Sequence, residues 1–284
     1  MKLSSLNALL WARETPRMPV LFFGHGNPMN AIEENDFVRE FRRQAQDIPT
    51  PSAILCVSAH WETRGTQVTA MAQPRTIHDF GGFPRALYEV QYPAPGAPDL
   101  AEEIAALAAS ELDVHVALDH EWGFDHGTWS VVKHLYPEAN IPMLQLSLDT
   151  QIGPQAHIAL GELLRTLRRR GVLIISSGNL VHNLGAVAWD RMNDPAGFAY
   201  DWADEASAAI KGALSERNWS ALAGFSGVGG GSRTTAMRMA VPTPDHFLPI
   251  LYTAGLLEDD ESVDFFNDRP VAGSLTMTGV RGVS

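Results

Sequence analysis

The chain has 284 residues, of which 45% are hydrophobic and 19% charged, a globular balance that argues against disorder along most of the length. Its 21 basic and 33 acidic side chains leave a net charge of −12, which repels nucleic acid and anionic membrane and sets both aside as partners. A single cysteine, Cys56, allows no intramolecular disulfide and fits a reducing cytoplasm.

Residues 1–18, broken by Arg13, Glu14 and Arg17, read as an N-terminal extension without a signal-peptide pattern. No run approaches the ~20 apolar residues of a membrane span. Residues 19–23 (PVLFF) predict a buried strand, and residues 31–46 a helix with Phe37 and Phe41 four apart. A second buried strand is expected over residues 53–58 (AILCVS), holding Cys56 as an inert core thiol. A short strand over residues 68–71 leads into residues 73–98, rich in proline, glycine and aromatics. That stretch predicts a long ordered loop of functional character.

Asp99 is placed to cap an alanine-rich helix running to about residue 111. Strands follow over residues 114–118 and 142–148, with residues 119–130 between them read as loop. Residues 153–170 predict a helix that Gly171 ends, its Arg168, Arg169 and Arg170 suiting the dipole there. Residues 172–176 (VLIIS) are the clearest parallel strand. Helices are expected over residues 198–214, 219–224 and 245–253, a glycine-rich turn over 227–231, and a last strand over 274–278. Apolar strands alternating with helices predict one α/β domain over residues 1–284, with a mostly parallel sheet covered on both faces.

Three of the ten histidines stand at or just past the ends of apolar strands: His25 in GHGNP, His60 in AHWET and His182 in SGNLVHN. Ligands bind at that edge of an open α/β sheet, so imidazoles delivered there form a candidate metal site. Ser58, Glu62 and Asn179 are neighbours able to orient the rings by hydrogen bonds. His126, between Asp125 and Gly127, is either a structural loop residue or a contact to substrate or oxygen. Asp245 either caps a helix or accompanies His246 as a further ligand. His78, with Phe80 beside it, is a candidate pocket wall, whereas His115, His134 and His157 read as structural or solvated. No phosphate loop and no GxSxG elbow occurs.

The ordered motifs GHGNPM (24–29), SAHWET (58–63), IHDFGGFP (77–84), FDHGTW (124–129), SSGNLVHNL (176–184) and TPDHFLPI (243–250) together resemble the class III extradiol ring-cleaving dioxygenases. The similarity is to the aromatic ring-opening group of the 4,5-DOPA dioxygenase type. It implies an α/β fold with the metal site at the C-terminal ends of the strands. It also implies iron(II), with zinc as the bound or substituting ion, and a DOPA-like catechol that reacts with O2 to give a ring-opened semialdehyde. By match, His25 and His60 resemble metal ligands and His246 a late histidine ligand. His182 resembles a catalytic acid/base that some members use as a ligand, and His126 an active-site histidine; His78 and Phe80 fall in the substrate pocket. The protocatechuate-type relatives carry a glutamate as third ligand, and none is evident near His246. A zinc-dependent hydrolase and a non-catalytic metal-binding protein are the competing readings, and the oligomeric state stays open.

Overall fold

A computed structural model describes residues 15–192, 194, 196–230 and 233–284. Most of the expected N-terminal extension, residues 1–14, and the end of the glycine-rich turn, Gly231, lie outside the described residues. The rest of the extension docks on the protein: Thr15 N donates to Arg169 O at 2.7 Å and Met18 N to Arg168 O at 3.0 Å.

In chain order the elements are β1 (Val20–Gly24), α1 (Asp36–Ala45), β2 (Ala53–Thr63), β3 (Thr66–Thr69), the one-turn α2 (Arg85–Tyr88), α3 (Pro98–Leu112), β4 (Val116–Asp119) and α4 (His126–Leu135). They continue as β5 (Met143–Asp149), α5 (Pro154–Arg168), β6 (Val172–Gly178), α6 (Asp201–Ser215), α7 (Trp219–Phe225), α8 (Thr235–Ala240) and α9 (Leu248–Leu256). The chain closes with β7 (Ser262–Phe266), β8 (Pro270–Val271), β9 (Leu275–Thr276) and β10 (Gly279–Val283).

One eight-stranded sheet, in the order β4-β3-β5-β2-β6-β1-β10-β7, carries the fold. Its centre, β5-β2-β6-β1, is parallel, as the apolar strands require. Antiparallel pairings join β3 to β5, β10 to β1 and β7 to β10. Alternate residues of the strands bury themselves in two apolar clusters, one on each face, so both faces are covered. Among the described residues no helix is long and apolar enough to cross a membrane.

Several local expectations change. Asp99 does not cap α3: Ala97 occupies the cap position and Pro98 the first turn, where proline's fixed φ and missing N–H cost nothing. Asp245 does not start a helix, because α9 begins at Leu248. Residues 126–135, expected as loop in their first part, form α4, because the Asp125 carboxylate accepts from Thr128 N at 3.1 Å and caps the turn. The helix expected from residue 31 begins at Asp36, where Asn35 caps it. The arginine run is an ion-pair clamp, with Arg168 bound to Glu261, Arg169 to Glu258 and Arg170 to Glu103.

Candidate metal centre

Register brings the site together. Phe23 lies beside Ser177 and Ser177 beside Ser58, so β1 and β6 end level with one another, next to Ser58 of β2. His25 follows β1 directly. His60 is not past its strand: β2 runs on to Thr63. Between Val57 and Glu62 the register with β5 shifts, since β5 advances only from Leu146 to Leu148. Such a bulge re-aims side chains beside active sites, and here it turns His60 toward His25.

His126 opens α4, whose N-terminus is fixed by buried Asp125. That carboxylate accepts from Ser58 Oγ at 2.7 Å and from Gln145 Nε2 at 2.7 Å. Gly127 lets α4 abut β2, for a Cβ there would stand 2.6 Å from Ser58 Oγ and 2.8 Å from a His60 ring carbon. Gly178 does the same for His246: a Cβ would meet His246 O at 2.2 Å. Instead the next residue, Asn179, donates its N–H to that carbonyl at 2.8 Å. His182 is held from its backbone by Ala240 O at 2.9 Å.

The rings converge. The Nε2 atoms of His25 and His60 stand 3.1 Å apart. Ring centroids are separated by 5.0 Å for His25–His60, 5.3 Å for His25–His246 and 5.0 Å for His60–His246. His126 lies 3.9 Å from His60 and 5.7 Å from His25 by the same measure. Ring nitrogens of His25, His60 and His126 all fall within 4.8 Å of one another, and a second such group joins His182, Asp245 and His246. His182 stacks face to face on His246, 3.6 Å between centroids with planes 5° apart.

Hydrogen bonds decide which nitrogen carries each proton. Ser177 Oγ donates to Gly127 O at 2.5 Å, and a carbonyl can only accept. Ser177 must therefore accept from His25 Nδ1, 3.0 Å away. His60 Nδ1 faces Asp79 Oδ2 at 3.2 Å, and His246 Nδ1 contacts the Asp245 carboxylate. All three rings thus hold their proton on Nδ1 and keep a lone pair on Nε2. Two lone pairs at 3.1 Å repel, and a shared cation removes the repulsion. The imidazole set fits iron(II) or zinc(II), and the acceptors behind it are the kind that orient metal-binding histidines.

Electrostatics agree with neutral ligands. Burial pushes His25 well below the ordinary histidine value, and the neighbouring His60, His246, His126 and His182 push it further. His126 and His246 are also lowered, chiefly by burial, and His182 is pushed down to about 3 by burial and the charge of His246. His60 differs: burial lowers it, but the bond to Asp79 and the charges of Asp125, Asp79 and Asp245 leave it raised.

The pocket candidates lie alongside. Phe80 meets His126 edge-on at 5.5 Å and packs near Phe83, Tyr88 and Trp129. His78 packs behind Phe80, 5.7 Å between ring centroids, with its Nε2 3.0 Å from Val90 O, so it braces the loop. Cys56 is buried with its thiol pushed up strongly by burial, an inert core group. Glu62, although next to the site in sequence, is exposed. Asp79 and Ser177 escaped the sequence reading, and only the adjacency of Asp79 to His78 and Phe80 hinted at it.

Comparison with known proteins agrees with this geometry. The family model for the catalytic LigB subunit of aromatic ring-opening dioxygenase matches residues 18–272. A 4,5-DOPA dioxygenase extradiol of Escherichia coli K12 is 43% identical over 272 residues, covering 93% of this chain and 94% of the relative. One from Beta vulgaris is 32% identical over 250 residues, 87% of this chain and 90% of the relative. The crystal structure of an uncharacterized protein from Escherichia coli K12 superposes with a TM-score of 0.76 at 38% identity, over 93% of this chain and 99% of the other. None of these supports the hydrolase. The chain belongs to the LigB family of aromatic ring-opening dioxygenases and is an extradiol ring-cleaving enzyme.

Proposed function

We propose that this enzyme, as one catalytic domain, opens a DOPA-like catechol at an iron(II) ion held by His25, His60 and His246, with zinc as a substituting ion. The observation that carries the ligand set is the near-equilateral triangle of those rings, 5.0, 5.3 and 5.0 Å on a side. Three imidazoles sharing one ion at ~2.1 Å per nitrogen stand roughly 5 Å apart by centroid. The closer grouping of His126 nitrogens with His25 and His60 favours His126 as the third ligand. The triangle weighs more, because the 3.9 Å and 5.7 Å sides of the His126 set are uneven.

His182 serves as the acid/base. An imidazole lone pair lies in the ring plane, so parallel rings 3.6 Å apart cannot both aim at one ion. That favours His182 as a base beside the metal over His182 as a ligand. Its ring stacks on that of the ligand His246, which places it to take a catechol proton and return it later. His126 Nδ1 stands 2.9 Å from Asp79 Oδ1, so Nε2 is the nitrogen left to meet a substrate hydroxyl or oxygen. Phe80 offers an apolar face to the aromatic ring, and His78 stiffens the loop behind it. When bound, iron(II) brings catechol and O2 together and passes electron density between them. The substrate assignment rests on the names of the relatives from Escherichia coli and Beta vulgaris. A buried lone cysteine supports a cytoplasmic home.

The test is anaerobic loading of metal-free enzyme with iron(II), then oxygen-electrode measurement with L-DOPA and simpler catechols. Oxygen uptake with a yellow product, fastest for L-DOPA, is expected. Equal rates on all catechols would reject the amino-acid side chain as a recognised feature, and no uptake would reject the iron assignment. For the third ligand, His246→Ala should lose metal where His126→Ala keeps it; the reverse result would exchange their roles.

A further inference from the structure

We propose that Asp79 is a positioning residue whose one carboxylate fixes the tautomer of His60, holds His126 by its backbone N–H and ties the aromatic loop to both. The inference builds on the proposed ligand role of His60. Oδ2 of Asp79 stands 3.2 Å from His60 Nδ1, and Oδ1 stands 2.9 Å from His126 Nδ1. Oδ1 also accepts the His126 backbone N–H at 2.9 Å. The His126 ring contact lies off the line of a hydrogen bond, since that nitrogen has no aligned partner among the described residues, so Asp79 holds His126 through its backbone N–H.

Three distant segments meet at this carboxylate: the bulge of β2, the first turn of α4 and the loop over residues 73–98. The loop is pinned on either side of Asp79. Ile77 N donates to Phe124 O at 2.7 Å, and Trp129 Nε1 donates to Ile77 O at 2.8 Å. Farther along, His78 Nε2 is bonded to Val90 O. Phe80 follows Asp79 directly and faces His126. The residue that sets the rings is thus rigidly joined to the residue that faces the substrate.

A neutral imidazole has one N–H and one lone pair. A carboxylate can only accept, so it draws the proton to Nδ1 and leaves Nε2 free to bind metal. Asparagine has the same shape but one accepting and one donating end. In Asp79→Asn the oxygen end is kept by the His126 backbone N–H, so His60 faces an N–H and must move its proton to Nε2. A role confined to packing would survive this substitution.

Metal-free Asp79→Asn, titrated with cobalt(II) and followed by its visible spectrum, should bind at least ~10-fold more weakly than the parent, with an altered spectrum. Its melting temperature without metal should match the parent. Parent-like affinity and spectrum would overturn the proposal. A second measurement needs no variant: long-range proton–nitrogen spectra of the metal-free parent protein should find the His60 proton on Nδ1. A proton on Nε2 would overturn the proposal however Asp79→Asn behaves. Cobalt retention by His60→Ala would instead strike the ligand assignment, so the two failures are told apart.

Discussion

At the sheet edge where β1 and β6 begin, the buried Arg168 guanidinium donates to Met18 O at 2.9 Å, to Leu256 O at 2.8 Å and to both oxygens of Glu261. Glu261 in turn accepts from Glu258 N at 2.8 Å. At the edge where β1 and β6 end, His25, His60 and His246 each have Nδ1 against a protein oxygen, and the Nε2 atoms of His25 and His60 meet at 3.1 Å. Both clusters are buried and both carry charged or polar groups. The first pairs each guanidinium nitrogen with a protein oxygen and ties residues 15–18 to α5 and to the approach to β7. The second pairs one nitrogen of each ring with the protein and leaves the rings 5.0–5.3 Å apart by centroid. Complete pairing marks a clamp, and deliberate half-pairing marks a site that takes a ligand.

The largest effect that would break this contrast is loss of a ligand. His25→Ala or His60→Ala should abolish metal retention, read by elemental analysis of the purified protein; parent-like metal content would remove the basis for the centre. Next, His182→Ala should keep its metal while turnover falls by about 10²–10⁴-fold, the usual weight of a general acid/base. Metal lost in proportion to activity would make His182 a ligand. At the opposite edge, Glu261→Gln strands the Arg168 charge and should cost about 3–5 kcal/mol of stability in denaturant unfolding. The folded variant should hold as much metal as the parent, and depleted metal would mean that the two edges are not independent.

The smallest effect concerns His157, buried in α5 with Nδ1 3.1 Å from the Tyr252 hydroxyl. Burial pushes it down to about 4. A histidine lowered on folding binds its proton more readily when unfolded. Its contribution is therefore full above the ordinary value of about 6.5 and is lost as pH falls through about 4. His157→Gln should flatten the acid side of the melting-temperature profile relative to the parent; an identical slope would show that His157 does not contribute to it.

Much of the site was legible from strand ends. His25 and His182 follow PVLFF and VLIIS, and apolar runs of that kind build parallel sheets whose C-terminal edges collect ligands. His60 was found for a partly mistaken reason, because its strand continues and a bulge, invisible to periodicity, turns the ring inward. The helix at residues 126–135 was missed because its cap, Asp125, also looked like a loop acid beside a glycine. β7 and β8 went unread, being short or half-exposed. Ser177 carried no signal and Asp79 only its place between His78 and Phe80, since each lies against a histidine more than a dozen residues away.

The residues themselves determined the α/β class, the neutral histidine chemistry and the family, since apolar runs, imidazoles and ordered motifs are local properties of the chain. Only the tertiary structure decided which imidazoles lie close together, that His182 stacks on His246, and that one Asp79 carboxylate stands beside both His60 and His126. Those outcomes depend on strand register, a bulge and close glycine contacts, which bring together groups that no local spacing relates.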